Sequence, residues 1–188
     1  MIKKIEVNDR QNINFFSSFI YNEPHIIISI NSVGCGKVDF SPCKHRKDIL
    51  FLQFDDTHFN DWRLNDAVHC KSFLDGLKES KDKLNSHEKE VAENLILRLF
   101  NEDQAKEIKN FVDKYKDEVD MIVSQCHAGI SRSSAVAAAL ADYLKVGDSN
   151  DYFENNKYCP NYYVYGVLKI ILAGKEIEKL NLNHCELV

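Results

Sequence analysis

Short apolar runs alternate along the chain with segments in which apolar residues recur at helical spacing. A continuous β-branched run at 25–30 ("HIIISI") predicts a strand that is covered on both faces, and the apolar runs at 48–54 ("DILFLQF") and 120–125 ("DMIVSQ") predict a second and a third buried strand. The alternating stretch "IKKIEV" (2–7) predicts an edge strand. Because strands and helices alternate, we expect an α/β fold with a central, mainly parallel sheet of four to five strands flanked by helices.

Helical patterns fill the segments between the predicted strands. Asn8 or Asp9 can cap a first helix that carries four apolar residues on one side. These four residues are Ile13, Phe16, Phe19 and Ile20. Ser86 is predicted to precede a later helix with a stripe of Val91, Leu95 and Leu99, and Asn101 with Gln104 predicts the cap of the next one.

The remaining helices are predicted at 64–77, after Ser131 and at 162–180. Apolar residues recur at near-helical spacing over 64–77, and the segment after Ser131 is rich in Ala and Leu, which are strong helix formers. Asn161, which follows Pro160, is expected to cap the last helix. Four tyrosines between 158 and 165 are expected mainly to pack this helix on the sheet, with the rim of a binding site as the alternative.

Composition narrows the class of protein. A chain of 188 residues with 44% hydrophobic content fits one domain, and a net charge of -5 argues against a nucleic-acid-binding domain. No apolar run approaches the roughly 18 residues of a membrane span. Six scattered cysteines without a C-x-x-C pair favour a reducing compartment, so we expect a cytoplasmic protein. The spacing of Cys35, Cys43 and His45 matches no common zinc site, and we expect no metal.

The stretch "VSQCHAGISRSSAVAAAL" (123–140) carries the chemistry of the sequence. A buried strand is predicted to end at Gln125, and a helix is predicted to begin near Ser131 or Arg132. A loop between a strand and a helix N-terminus aims backbone N–H groups at one point, and the helix dipole adds positive potential there. Gly129 can adopt the dihedral angles that a tight concave loop requires. The stretch is therefore suited to hold a tetrahedral oxyanion.

Three side chains in this stretch can act on such an anion. Arg132 offers a planar fork that grips two phosphate oxygens and stays charged at all working pH values. Cys126 lies at the start of the same loop, where a helix N-terminus and a guanidinium both favour the nucleophilic thiolate. Ser133 can donate a hydrogen bond to that sulfur. The alternative interpretation is a small core cysteine next to a surface arginine.

The sequence "CHAGISRS" resembles the Cys-x5-Arg signature of cysteine-dependent protein phosphatases, and its "AGISRS" part resembles the dual-specificity branch. The resemblance implies a protein tyrosine phosphatase-like fold and a cysteinyl-phosphate intermediate on Cys126, without metal or cofactor. It also implies that the phosphate is bound by Arg132 and by the N–H groups of the loop. The loop residues concerned are His127, Ala128, Gly129, Ile130, Ser131 and Arg132. The family usually has His before the nucleophile, where this chain has Gln125.

A proton donor for the leaving group is expected on a separate loop. Asp55 and Asp56 follow the second buried strand, at the sheet edge where Cys126 is also expected. "D-D-T" followed by an aromatic residue and Asn or Asp resembles the acid loop of dual-specificity enzymes, which implies that Asp56 is the acid. Asp55 or Asp61 is the second choice. The spacing from Asp56 to Cys126 is longer than in that family, which indicates a helical insertion around 60–117 within a single domain spanning 1–188.

These features predict a protein phosphatase that acts on phosphorylated proteins or peptides. Phosphotyrosine is the expected substrate, and phosphoserine and phosphothreonine are further candidates. Phosphatases of inositol phosphates or RNA 5′ ends share the signature, but the loop has no basic residue beyond Arg132. Sulfurtransferases and arsenate reductases use a similar loop without needing Asp56. A phosphate-binding module with little turnover is a further alternative, because Gln125 replaces the His that the family usually has before its nucleophile. A disulfide between Cys126 and Cys159 stays open.

Overall fold

A computed structural model describes residues 2–57 and 85–175 of the chain. Four parallel strands form one sheet: β1 (Lys4–Asp9), β2 (His25–Asn31), β3 (Arg46–Gln53) and β4 (Met121–Cys126). Their order in the sheet is β1-β4-β2-β3, with helices on both faces. The predicted α/β fold with a parallel sheet flanked by helices is confirmed.

Two of the four strands are buried throughout, as predicted from their apolar runs. β2 and β4 lie inside the sheet, and every residue of both is buried. β1 is an edge strand, also as predicted. The prediction that the second run is covered on both faces is wrong, because β3 forms the other edge of the sheet and only Leu52 within it is fully buried.

Six α-helices are found in the described part of the chain. They are α1 (Ile13–Phe15), α2 (Ser86–Arg98), α3 (Glu102–Tyr115), α4 (Arg132–Leu144), α5 (Asn150–Phe153) and α6 (Tyr162–Leu172). A single π-helical segment, Phe16–Ile20, continues α1. The predicted helix at 64–77 and the end of the last helix beyond 175 lie outside the described residues.

Local capping chemistry explains where α2, α3 and α6 begin. The Asn101 side chain accepts from Gln104 N at 3.0 Å, and the Gln104 side chain accepts from Asn101 N at 3.1 Å, so this predicted capping box is confirmed. α2 starts with the same arrangement between Asn85 and Glu88 rather than at a cap formed by Ser86. Asn161 caps α6 as predicted, because its Oδ1 accepts from Val164 N.

Two predicted apolar faces are only partly buried. In the first helical segment, Ile13 is fully buried, whereas Phe19 is 70% exposed and Ile20 is also exposed. The chain continues as a π-helix over Phe16–Ile20, so the α-helical spacing from which this face was predicted does not hold there. Of the stripe predicted for α2, Val91 is exposed, whereas Leu99 is buried as expected but lies just beyond the end of the helix.

The sheet separates a large core from a small one. α3, α4 and α6 cover one face, where Ile26, Ile28 and Ile30 of β2 point. The opposite face carries a small cluster of Ile13, Ile27, Met121 and Val123. No helix among the described residues is long and apolar enough to cross a membrane.

The order of the strands determines where a ligand can bind. The chain passes from β1 over to β2 and β3, and then returns to place β4 between β1 and β2. In open parallel sheets, ligands bind beyond the carboxyl ends of the strands at the point where the strand order reverses. The loop after β4, residues 126–132, lies at that point.

Candidate active site

The 126–132 loop is held against the carboxyl end of β1. Asp9 is paired with Cys126 in the sheet, and Arg10 N donates to His127 O at 3.1 Å. Gly129 has a φ of +68°, which an L side chain rarely adopts. A Cβ on Gly129 would lie 2.9 Å from the carbonyl carbon of Asn8 and 3.0 Å from Asp9 N. The predicted need for glycine in this loop therefore has two physical causes, the dihedral angle and the close approach of the β1 backbone.

Cys126 is buried at the start of this loop, with 2% of its surface exposed, and it belongs to the large core. Its Sγ lies 3.0 Å from the Oγ of Ser133, a residue of the first turn of α4 that directly follows Arg132. The predicted hydrogen bond between Ser133 and the sulfur is thus present in the structure. A hydroxyl in this position can donate to a sulfur anion as well as to a thiol acceptor.

Arg132 lies at the N-terminus of α4, and only 4% of its surface is exposed. Its Nη1 donates to the carbonyl oxygen of Phe54 at 2.8 Å and to the Oγ of Ser32 at 3.1 Å. Its buried Nε has no hydrogen-bond partner within residues 2–57 and 85–175. An unsatisfied buried donor on a charged group costs at least about 1–3 kcal/mol, which an anion oxygen at this position would recover.

Asp56 comes to the same place from the end of β3. Its Oδ1 accepts from Ser131 Oγ at 2.7 Å and from Asn161 Nδ2 at 3.0 Å. Its Oδ2 lies 3.9 Å from Arg132 Nε, which is ion-pair distance but too long for a hydrogen bond. The structure therefore brings together Asp56 and the helix N-terminus that carries Arg132, as the sequence predicted from the ends of parallel strands.

Asp55, the second choice for the acid, has different partners. It forms an ion pair with Arg98 of α2, and its Oδ1 accepts from Val33 N at 2.9 Å. These contacts tie the ends of β2, β3 and α2 together. Asp61, the other second choice, lies outside the described residues.

Asn161 is a site residue whose role beyond capping the sequence did not predict. The side chain is buried, and its oxygen caps α6. Its Nδ2 is then free to donate to Asp56 Oδ1 and to the carbonyl oxygen of Thr57, both at 3.0 Å. Of the residues that favour helix N-caps, Asn alone combines a capping oxygen with a side-chain N–H donor. The choice of Asn at this cap was therefore the feature of the sequence that could have indicated a second role.

Gln125, the residue directly before Cys126, is fully buried beneath the loop. Its Nε2 donates to the carbonyl oxygen of Cys126 at 2.7 Å, and its Oε1 accepts from Ser29 Oγ at 2.7 Å. Ser29 is its directly opposite partner on β2, so the contact follows from the sheet register. Gln125 therefore supports the backbone of the loop at the residue that carries the sulfur.

The rim of the loop is formed by exposed residues and by the segment before α6. His127, Ala128 and Ile130 are exposed, and Cys159 N donates to the carbonyl oxygen of Ile130 at 3.0 Å. Tyr162 is 53% exposed, so it is one tyrosine of the segment that does not pack on the sheet.

By contrast, Tyr163 is buried and its hydroxyl donates to Phe100 O at 2.8 Å. Cys159 itself is an exposed free thiol, while the thiol of Cys126 is buried.

Among the described residues, no group of three or more His, Cys, Asp or Glu side chains could hold a metal ion. The site consists instead of a buried thiol, a buried guanidinium and a partly exposed carboxylate around one helix N-terminus. In comparisons with known proteins, no family model matches the chain, and no curated protein matches it either.

Proposed function

We propose that this chain is a cysteine-dependent phosphatase of the dual-specificity type that hydrolyses phosphotyrosine in proteins. The proposal is carried by one observation, the meeting of three groups at the carboxyl edge of the sheet. Cys126 ends β4 with its sulfur 3.0 Å from Ser133 Oγ in the first turn of α4. Arg132 begins α4 with an unsatisfied buried Nε, and Asp56 follows β3 with its Oδ2 at 3.9 Å from that nitrogen. A nucleophile, an oxyanion binder and a proton donor are the groups that phosphoryl transfer through a covalent intermediate requires.

The reaction proceeds in two steps. In the first, the thiolate of Cys126 attacks phosphorus, a P–S bond forms and the P–O bond to the substrate breaks. The carboxylic acid of Asp56 gives its proton to the departing oxygen, while the N–H groups of residues 127–132 and Arg132 hold the equatorial oxygens. In the second step, Asp56 takes a proton from a water that attacks phosphorus. The thiolate leaves and accepts a hydrogen bond from Ser133, 3.0 Å away.

Several contacts support a role of Asp56 as the proton donor. Ser131 and Asn161 donate to one of its oxygens, which leaves the second oxygen on the side of Arg132. The two donors fix the position of the carboxyl group beside the N-terminus of α4. A fixed donor of this kind accelerates expulsion of a basic leaving group by about 10²–10⁴-fold.

The surroundings of the loop favour a phosphorylated aromatic side chain over a polyphosphorylated small molecule. Ile130 on the loop and Tyr162 at the start of α6 both expose apolar surface. The start of α6 lies beside the loop because Asn161 N donates to Ser131 O. Of the nearby described cations, Arg98 is paired with Asp55, and Arg10 donates to neutral oxygens. Phosphoserine and phosphothreonine are further candidate substrates, since the same loop binds any phosphate monoester.

The first experiment tests the nucleophile. The purified protein is expected to hydrolyse para-nitrophenyl phosphate in the presence of EDTA, and orthovanadate is expected to inhibit it. Cys126→Ser should abolish turnover, whereas Cys43→Ser, at a partly buried thiol before β3, should retain it. Equal activity of the wild-type protein and the Cys126→Ser variant would overturn the mechanism.

The second experiment tests the acid with a matched pair of neighbours. Asp56→Asn is expected to lower kcat for a phosphotyrosine peptide at least about tenfold, and less for substrates with a more acidic leaving group. Asp55→Asn should act mainly through stability, because it removes the ion pair with Arg98. If the two variants lose the same activity on both substrates, the acid lies elsewhere.

A further inference from the structure

A line of polar side chains runs beneath the 126–132 loop on the face of the sheet opposite α4 and α6. Arg10 Nη1 donates to Asn31 Oδ1, and Asn31 Nδ2 lies 3.5 Å from Ser29 Oγ, the longest link. Ser29 Oγ donates to Gln125 Oε1 at 2.7 Å, and Gln125 Nε2 donates to the carbonyl oxygen of Cys126 at 2.7 Å. Four successive hydrogen bonds thus connect a guanidinium with the peptide group of the proposed nucleophile.

The chemistry of the two ends fixes the direction of every link. A guanidinium can only donate, so Asn31 turns its oxygen to Arg10 and its NH2 group to Ser29. A carbonyl can only accept, so Gln125 turns its NH2 group to Cys126 and its oxygen to Ser29. The Ser29 hydroxyl then accepts on one side and donates on the other. All four donors point from the cation toward Cys126.

Burial makes this line electrostatically effective. Ser29, Asn31 and Gln125 are all buried, so water does not screen the links between these three side chains as it would on a surface, whereas Arg10 at the outer end is half-buried. Within the described chain, the guanidinium of Arg10 donates to the Asn31 amide and to the carbonyl oxygens of Gly36 and Lys37. These acceptors are neutral, so they leave the positive charge of Arg10 in place.

We propose that Arg10 is a positioning residue that polarises the peptide group between Cys126 and His127 through Asn31, Ser29 and Gln125. Donation to the carbonyl oxygen of Cys126 draws electron density out of that peptide group, whose other end is the N–H of His127. The His127 N–H becomes a stronger donor to an anion in the loop and to the sulfur anion. Aligned hydrogen bonds strengthen one another in this way by about 10–30% per bond.

The inference rests on the proposed function only for the identity of the anion, so its test does not require turnover. Two measurements are made on each variant. One is the dissociation constant for orthophosphate in a Cys126→Ser background. The other is the rate at which iodoacetamide alkylates Cys126 at pH 6.5 in the protein with its cysteine, followed by mass spectrometry.

The variants break the line at two places. Ser29→Ala and Arg10→Met are each expected to weaken orthophosphate binding about two- to fivefold and to slow alkylation by a similar factor. Arg10→Lys keeps the cation and should recover most of both losses. Ser124→Ala is the matched control, since Ser124 is an equally buried serine of β4 whose Oγ has no hydrogen-bond partner in the described part of the chain.

A purely structural role predicts a different result. In that case Ser29→Ala and Arg10→Met lower the melting temperature but leave both the phosphate affinity and the alkylation rate unchanged, and the proposal is overturned. Equal losses in Arg10→Lys and Arg10→Met would overturn the part assigned to the charge. If the wild-type protein alkylates faster than both variants yet hydrolyses no phosphate ester, the inference holds and the proposed phosphatase function fails.

Discussion

Replacement of Gly129 by alanine tests how closely β1 and the 126–132 loop approach each other. The structure gives Gly129 a φ of +68° and places a hypothetical Cβ 2.9–3.0 Å from backbone atoms of Asn8 and Asp9. Gly34 has a similar φ of +84°, but nothing lies within 4 Å of its hypothetical Cβ. Gly34→Ala therefore reports the cost of the dihedral angle alone, and Gly129→Ala reports that cost together with the contact.

The two costs can be separated in magnitude. A left-handed conformation costs an alanine about 1–2 kcal/mol, which is the expected loss of unfolding free energy for Gly34→Ala. An added methyl group against fixed backbone costs about 1–3 kcal/mol more, so Gly129→Ala should lose about 2–5 kcal/mol in all. For a protein of this size, each kcal/mol lowers the melting temperature by about 2–4 °C.

Urea unfolding and orthophosphate binding measure the two effects. Gly129→Ala is expected to lose more stability than Gly34→Ala and to bind orthophosphate more weakly, because the methyl group displaces the loop from β1. Gly34→Ala should bind orthophosphate as the wild-type protein does. Equal stability and equal affinity in the two variants would refute the close approach of the two backbones.

Three further predictions follow from individual contacts. Burial lowers the pKa of His25, whose Nε2 accepts from Ser17 Oγ, so the unfolded chain binds the proton at a higher pH than the folded protein does. The free energy of unfolding should therefore fall as pH falls below about 6.5. In urea titrations at different pH values, a His25→Gln variant should lose this dependence. Although burial opposes it, hydrogen bonds from two lysines and a tyrosine lower the pKa of Asp113 to about 2. The destabilisation by Asp113→Asn should therefore be largest at neutral pH and shrink as pH falls through about 3.8 toward 2. Asn161→Asp keeps the cap of α6 but replaces the NH2 donor to Asp56 and Thr57 by a buried second carboxylate, so both kcat for a phosphotyrosine peptide and the melting temperature should fall. Asn161→Ala should also lower both, because it removes the cap of α6 together with the donor to Asp56.

Much of the fold could be predicted from the sequence, because the pattern that specifies it is local. The apolar runs of β2 and β4 and the Asn101–Gln104 cap are each contiguous in the chain, and each was found at the predicted place. The same holds for the 126–132 loop, where the change from strand to helix and the position of Gly129 are visible in a dozen residues.

What the sequence could not predict depends on partners that are distant along the chain. β3 has the same apolar run as β2, but its position at the edge of the sheet leaves most of it half-exposed. The different partners of Asp55 and Asp56 come from Arg98, Ser131 and Asn161, which no local pattern connects with them.

The pairing of β1 with β4 also determines when the site can form during synthesis of the chain. Asp9 and Cys126 are 117 positions apart, yet they are neighbours in the sheet. A ribosome must add β4 and the 126–132 loop before Gly129 can pack against the backbone of Asn8 and Asp9. A nascent chain that is released earlier carries Asp56 but lacks Cys126 and Arg132, so it holds only one of the three groups of the proposed site.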